Sequence, residues 1–126
     1  MDTPIDDETF EDWIFEAIEE LPETFQSQLG SVAILIEDEP DPEDLARHNT
    51  PQLFGLYVGV PRSRLSADGV PIPSKLTIYK GTFERTYRTR DGMRKAVHEV
   101  VRHEIAHHLG ISDERLEELA REHGNR

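Results

Sequence analysis

Residues 103–113 read His103-Glu104-Ile105-Ala106-His107-His108-Leu109-Gly110-Ile111-Ser112-Asp113. Two imidazoles, His103 and His107, stand four positions apart, and a carboxylate, Glu104, directly follows the first. On a helix, residues four apart share a face about one turn apart, so both rings can converge on one cation. Glu104 is turned about 100° from His103, beside such an ion, where it can take a proton from an activated water. Gly110 suits the left-handed backbone that ends a helix and reverses the chain. Asp113 is then the expected third ligand, with Glu117 or Glu118 on a later helix as the alternative. Ser112 or Asp113 can also cap a closing helix over residues 113–122, a role compatible with ligation.

The pattern is too specific to be dismissed as composition. With six His and sixteen Glu in 126 residues, H-E-x-x-H arises by chance in roughly four such chains per hundred. Requiring Gly110 and Asp113 at their offsets lowers this to roughly two in ten thousand.

The element that must carry these groups is a helix starting near Asp91, the expected N-cap. A projection from Met93 puts Ala96, Val97, Val100 and Val101 on one side, with His103, Glu104 and His107 in or beside that arc. The three motif residues are therefore expected to face the interior, where metal ligation satisfies them. His98 and Glu99 read as solvated, with Glu99 one turn before His103 and able to orient its ring. His108 reads as a surface or supporting group.

Composition narrows the chemistry. The formal charge of −12 disfavours nucleic acid and anionic membrane as partners, and leaves a neutral or basic substrate compatible. With no cysteine, a metal must be held by nitrogen and oxygen, which suits Zn²⁺. No segment reaches the length of a membrane span, and residues 1–8 are acidic and lack a signal-peptide pattern. The reading is a single cytoplasmic domain over residues 1–126.

Upstream, Phe10, Trp13, Ile14, Ala17, Ile18 and Leu21 repeat at helical spacing over about residues 7–21, and Pro22 ends the run. Residues 32–36 form a short apolar run, expected as a buried strand. The six carboxylates of residues 37–44 lack the loop glycine of an EF-hand, and the interspersed prolines predict an exposed turn rather than a calcium site. Residues 53–60 form a second strand, residues 61–74 a surface loop or hairpin connection with a turn at Asp68-Gly69, and residues 75–80 an alternating strand. Residues 83–88 are ambiguous between coil and a helical turn. The order suggests an α+β domain with helices against a small, mainly antiparallel sheet.

The 103–113 motif, with supporting segments at residues 19–22, 37–40, 53–57 and 78–79, resembles the small bacterial zincin-like metallopeptidases. The resemblance implies an α+β zincin-like half-domain: a small antiparallel or mixed sheet packed with an N-terminal helix and a C-terminal active-site helix. It also implies zinc, a peptide or protein substrate, and an edge strand that pairs with the substrate main chain, supplied by either residues 53–60 or residues 75–80. One feature departs from the metzincin pattern: no methionine follows Asp113, since Met1 and Met93 are the only two. The second wall of the cleft is also lacking, so a partner chain or second copy completing it is a further expectation.

The leading reading is metal-assisted hydrolysis of a peptide bond, with His103, His107 and Asp113 as zinc ligands and Glu104 as general base. Tyr57 and Tyr79 lie in strands that can border the cleft, as core or rim residues. The alternative is a metal-dependent regulatory or interaction module that keeps the site with little or no turnover. It is separated from the first by whether the metal-loaded protein cleaves peptides.

Overall fold

Phe10, Trp13, Ile14 and Ala17 sit at the three-and-four spacing that lines one face of a helix, and all four are buried in α1 (Asp7–Glu19). The computed structural model describes residues 5–23, 26, 32–60, 63–70, 72–108, 114, 115, 118 and 121, with residues 107 and 108 described by backbone alone. Asp6 caps α1 by accepting a hydrogen bond from the Thr9 amide at 2.7 Å. That bond to the charged form holds the Asp6 carboxyl below its usual range.

Three strands follow: β1 (Val32–Glu37), β2 (Gly55–Val58) and β3 (Ser74–Tyr79). They form a mixed sheet in the order β1-β3-β2, with β1 parallel and β2 antiparallel to β3. The sheet is thus the mixed form of the expected α+β half-domain. The register aligns Ile34, Leu76 and Tyr57 on one face, and Ile36, Ile78 and Gly55 beside them on the same face. That face meets the helices, and Leu76 and Ile78 are fully buried. Thr77 and Tyr79 of β3 point the other way yet are also buried, as befits a central strand. Burial, reinforced by the carboxylates Asp44, Glu37 and Asp41, raises the Tyr79 phenol above its usual range.

Other expectations change in the tertiary context. β1 lies at the sheet edge, so Leu35 is exposed rather than buried. Within the acidic run the chain turns into a short helix, α2 (Pro42–Arg47), because Pro42 can occupy a first helical turn. The ambiguous stretch after β3 is α3 (Lys80–Thr86). Its Gly81 amide donates to the Asp38 carbonyl at 2.9 Å, and Arg85 pairs with Glu39. Phe83 is the hub of an aromatic cluster with Phe10, Phe54 and Tyr87.

The last long element, α4 (Arg90–His108), begins one residue earlier than expected. Thr89 rather than Asp91 caps it: the Gly92 amide donates to Thr89 Oγ1 at 3.1 Å, and the Met93 amide to the Thr89 carbonyl at 3.0 Å. Asp91 instead lies in the first turn, where the helix dipole favours a negative charge.

Charged groups clamp α4 to α1. Arg94 grips Glu16 with two bonds of 2.9 Å, while His98 Nε2 lies 3.0 Å from Glu16 Oε1 and Nδ1 lies 3.6 Å from Glu20. His98 is thus not solvated as its sequence position suggested; it is wedged between two carboxylates with only 17% of its side chain exposed. The Arg94 guanidinium, then His98, hold the Glu16 carboxyl below its usual range.

A depressed carboxyl stabilises the fold above its unfolded pKa and loses that contribution as pH falls through the lower folded value. Glu16→Gln is therefore expected to cost about 0.5–1 kcal/mol at neutral pH. In urea titrations the deficit relative to wild type should shrink as pH falls below the ordinary glutamate value of about 4.3, and vanish once the folded carboxyl is itself protonated.

Candidate functional site

α4 reaches the motif after burying Met93, Ala96, Val97 and Val101. In the motif turn, Ile105 and Ala106 take the core positions, and His103 and Glu104 are half-buried beside them. The expectation that His103 and Glu104 face the interior is corrected to the rim of the core. A rim position keeps one side of each group open to water and substrate, which hydrolysis requires.

The backbone of His107 continues the same unbroken helix, so His103 and His107 are held one turn apart. The His107 side chain, Gly110, Asp113 and Glu117 lie outside the described residues. Glu118, the alternative third ligand, is exposed and paired with Arg115 at 2.9 Å. Among the described residues no three His, Asp or Glu groups converge on a possible cation position, the acidic run 37–44 included. Glu99 is exposed, and Met93 is fully buried, as its place on the apolar stripe indicated.

The sheet positions this helix. Phe54, just before β2, lies tilted against Tyr87 with ring centroids 6.3 Å apart, and a Cβ on Gly92 would lie 3.8 Å from the Tyr87 ring. α4 therefore enters at the amino end of β2. Further along, Val100 passes over Gly55 so closely that a Cβ there would be 3.1 Å from both Val100 Cγ1 and Ile78 Cδ1. At about 1.5 Å per residue, His103–His107 follow about 4–11 Å beyond that crossing.

β2 is an edge strand among the described residues, whereas β3 is central. Of the two strands considered for the substrate edge, residues 75–80 are thereby removed. Tyr57 shares the helix-facing side of the sheet with Leu76, and its hydroxyl is buried. Tyr79 points to the opposite face and does not border the motif helix. A separate concavity of about 270 Å³, lined by Leu45, Ala46, Asn49, Thr50 and Pro51, lies at the end of α2 and includes no residue of the motif.

The glycines of residues 53–60 suggest a bend or a close backbone approach, and Gly55 provides that approach for α4. One positioning feature was not assigned from sequence. The Glu16–Arg94–His98 clamp had a usable signal: Glu16 and Glu20, like Arg94 and His98, are spaced to share one helix face.

A family model described as zincin-like metallopeptidase matches residues 29–123. None of the curated proteins compared with the chain matches it. Among solved structures, a conserved hypothetical protein from Thermus thermophilus is similar, with a TM-score of 0.56 and 25% sequence identity. That similarity covers 82% of this chain and 92% of the other. No helix among the described residues is long and apolar enough to cross a membrane.

Gly55→Val is expected to push Val100 and Ile78 apart and lower stability by about 1–3 kcal/mol. Gly69→Ala meets no neighbour but must adopt a φ of +79°, and is expected to cost about 1 kcal/mol. Denaturant unfolding of the two variants measures both.

Proposed function

Because this chain belongs to the zincin-like metallopeptidase family, we propose that it hydrolyses peptide bonds at the motif end of α4, with Glu104 as the proton-transfer group. The observation that carries this reading is that His103 and Glu104 lie on one continuous helix, half-buried at the edge of the core, about a turn beyond the point where that helix crosses β2.

The donor set fits zinc. Two imidazoles one turn apart and a carboxylate are ordinary zinc ligands, and a chain without cysteine offers no competing thiolate. His103, His107 and Asp113 would hold the ion, which when bound acidifies a water and polarises a carbonyl. Glu104 stands one residue from His103 and carries no ligand role in this scheme. Its carboxylate removes a proton from the attacking water, whose oxygen bonds to the carbonyl carbon. The same proton then passes to the departing amine nitrogen as the C–N bond breaks, so Glu104 ends the cycle ionised.

Half-burial suits that task, because it anchors the side chain against the core while an open side admits water. An edge strand gives the substrate a place to pair its main chain, and β2 is the edge beneath which α4 runs. Tyr57, on the same face, is positioned to wall the cleft.

Elemental analysis is expected to find one zinc per chain, lost in His103→Ala and His107→Ala. With metal content matched, Glu104→Gln should keep zinc and lose cleavage of a broad peptide library by about 10²-fold or more. A zinc-loaded wild type that cleaves nothing would favour the binding module over the hydrolase.

A further inference from the structure

We propose that the end of the sheet beyond β2 selects the substrate of this site, taking a peptide with an apolar side chain flanked by a single carboxylate. The proposal rests on the hydrolase reading for its cleaved bond, and on separate observations for its selectivity.

Among the described residues the exposed large hydrophobics are Phe15, Leu35, Val58, Leu65 and Val70, and three of these five fall within residues 58–70. Val58 is 47% exposed, Leu65 53% and Val70 59%. The last two are presented by a closed turn: the Ser66 amide donates to the Val70 carbonyl at 2.8 Å, and the Ile72 amide to the Arg64 carbonyl at 3.1 Å. Gly69, with φ +79°, donates to the Ser66 carbonyl at 2.9 Å and closes its tip. The Val60 amide bonds Ser74 Oγ at 3.0 Å, which ties the segment to the start of β3. Such a hydrogen-bonded turn displays Leu65 and Val70 at little further entropic cost on binding.

Strand geometry says which substrate groups would meet them. A peptide paired along β2 alternates its side chains between the two faces of the sheet. Those on the Tyr57 face approach α4 and the motif. Those on the other face lie beside Val58, whose register partner on β3 is Lys75. Substrate positions facing that side therefore meet apolar surface and a cation together.

Charge points to the same occupant. Arg64 and Lys75 are both exposed, and neither has an ion pair among the described residues. Across residues 58–75 the chain carries Arg62, Arg64 and Lys75 against Asp68 alone, in a protein whose formal charge is −12. At physiological salt, fields fade over about 8 Å, so a carboxylate docking here responds to the local cations. Further carboxylates along the peptide would lie beyond reach of these cations and against the acidic remainder of the surface, which limits the preference to one carboxylate. A second copy is a poor occupant, because a symmetric contact through this patch would set Arg64 and Lys75 against their own equivalents.

The test uses the full-length, zinc-loaded protein and ten-residue peptides containing Leu-x-Glu, with matched peptides in which Ser replaces Leu or Lys replaces Glu. Affinity is read by fluorescence anisotropy and cleavage by mass spectrometry. Each replacement is expected to weaken binding about tenfold, the scale of one lost side-chain contact. Leu65→Ser with Val70→Ser should erase the Leu preference, and Arg64→Glu should turn the Glu preference into a Lys preference. Equal affinity for all peptides, no binding at all, or selectivity unchanged in the variants overturns the proposal. Selective binding without any cleavage upholds it and removes the hydrolase reading; cleavage of every peptide with equal affinity does the reverse.

Discussion

The crossing of α4 over the sheet at Gly55 is the constraint on which the rest depends. Backbone and side chain meet there so closely that a Cβ would crowd Val100 and Ile78 at 3.1 Å. The helix from that contact to His108 is placed by helix geometry, since an unbroken helix carries orientation rigidly from one turn to the next. The backbone of His103 and Glu104 therefore inherits its position from an apolar contact about a turn away.

Electrostatics holds the other side of α4. In an acidic chain, cations are scarce, and two of the groups able to carry positive charge, Arg94 and His98, are spent on one pair of carboxylates on α1. This fixes the rotation of α4 about its axis, because a two-pronged Arg–carboxylate contact tolerates little angular freedom. Rotation matters more than translation for the site, since about 100° separates a ligand from the residue after it. The clamp and the Gly55 crossing are complementary: one sets the turn of the helix, the other its height above the sheet.

The sheet contributes an edge and two unequal faces. β3 is buried on both faces and serves as the spine, with Phe83 just after it gathering Phe10, Phe54 and Tyr87 into one aromatic cluster. β1 and β2, at the margins, expose Leu35 and Val58. A short strand at an edge invites pairing by another chain. In a protein proposed to bind extended peptides beside its catalytic helix, that exposure has a use.

By itself the sequence determined the candidate chemical groups and most of the elements. The four-residue spacing of His103 and His107 with Glu104 between them, the stripe on α1, the apolar run of β1 and the Asp68-Gly69 turn are local patterns, and local patterns survive in one dimension. Which strand lay in the middle of the sheet, and so which could offer an edge, was decided only by tertiary packing, because strand order is a matter of contacts between distant residues. The same holds for His98, read as solvated until Glu16 and Glu20 come to meet it, and for Glu104, which moves from the interior to the rim because Ile105 and Ala106 fill the core beside it. Periodicity says which residues share a face. Only the neighbours that arrive from elsewhere in the chain say what that face is buried against.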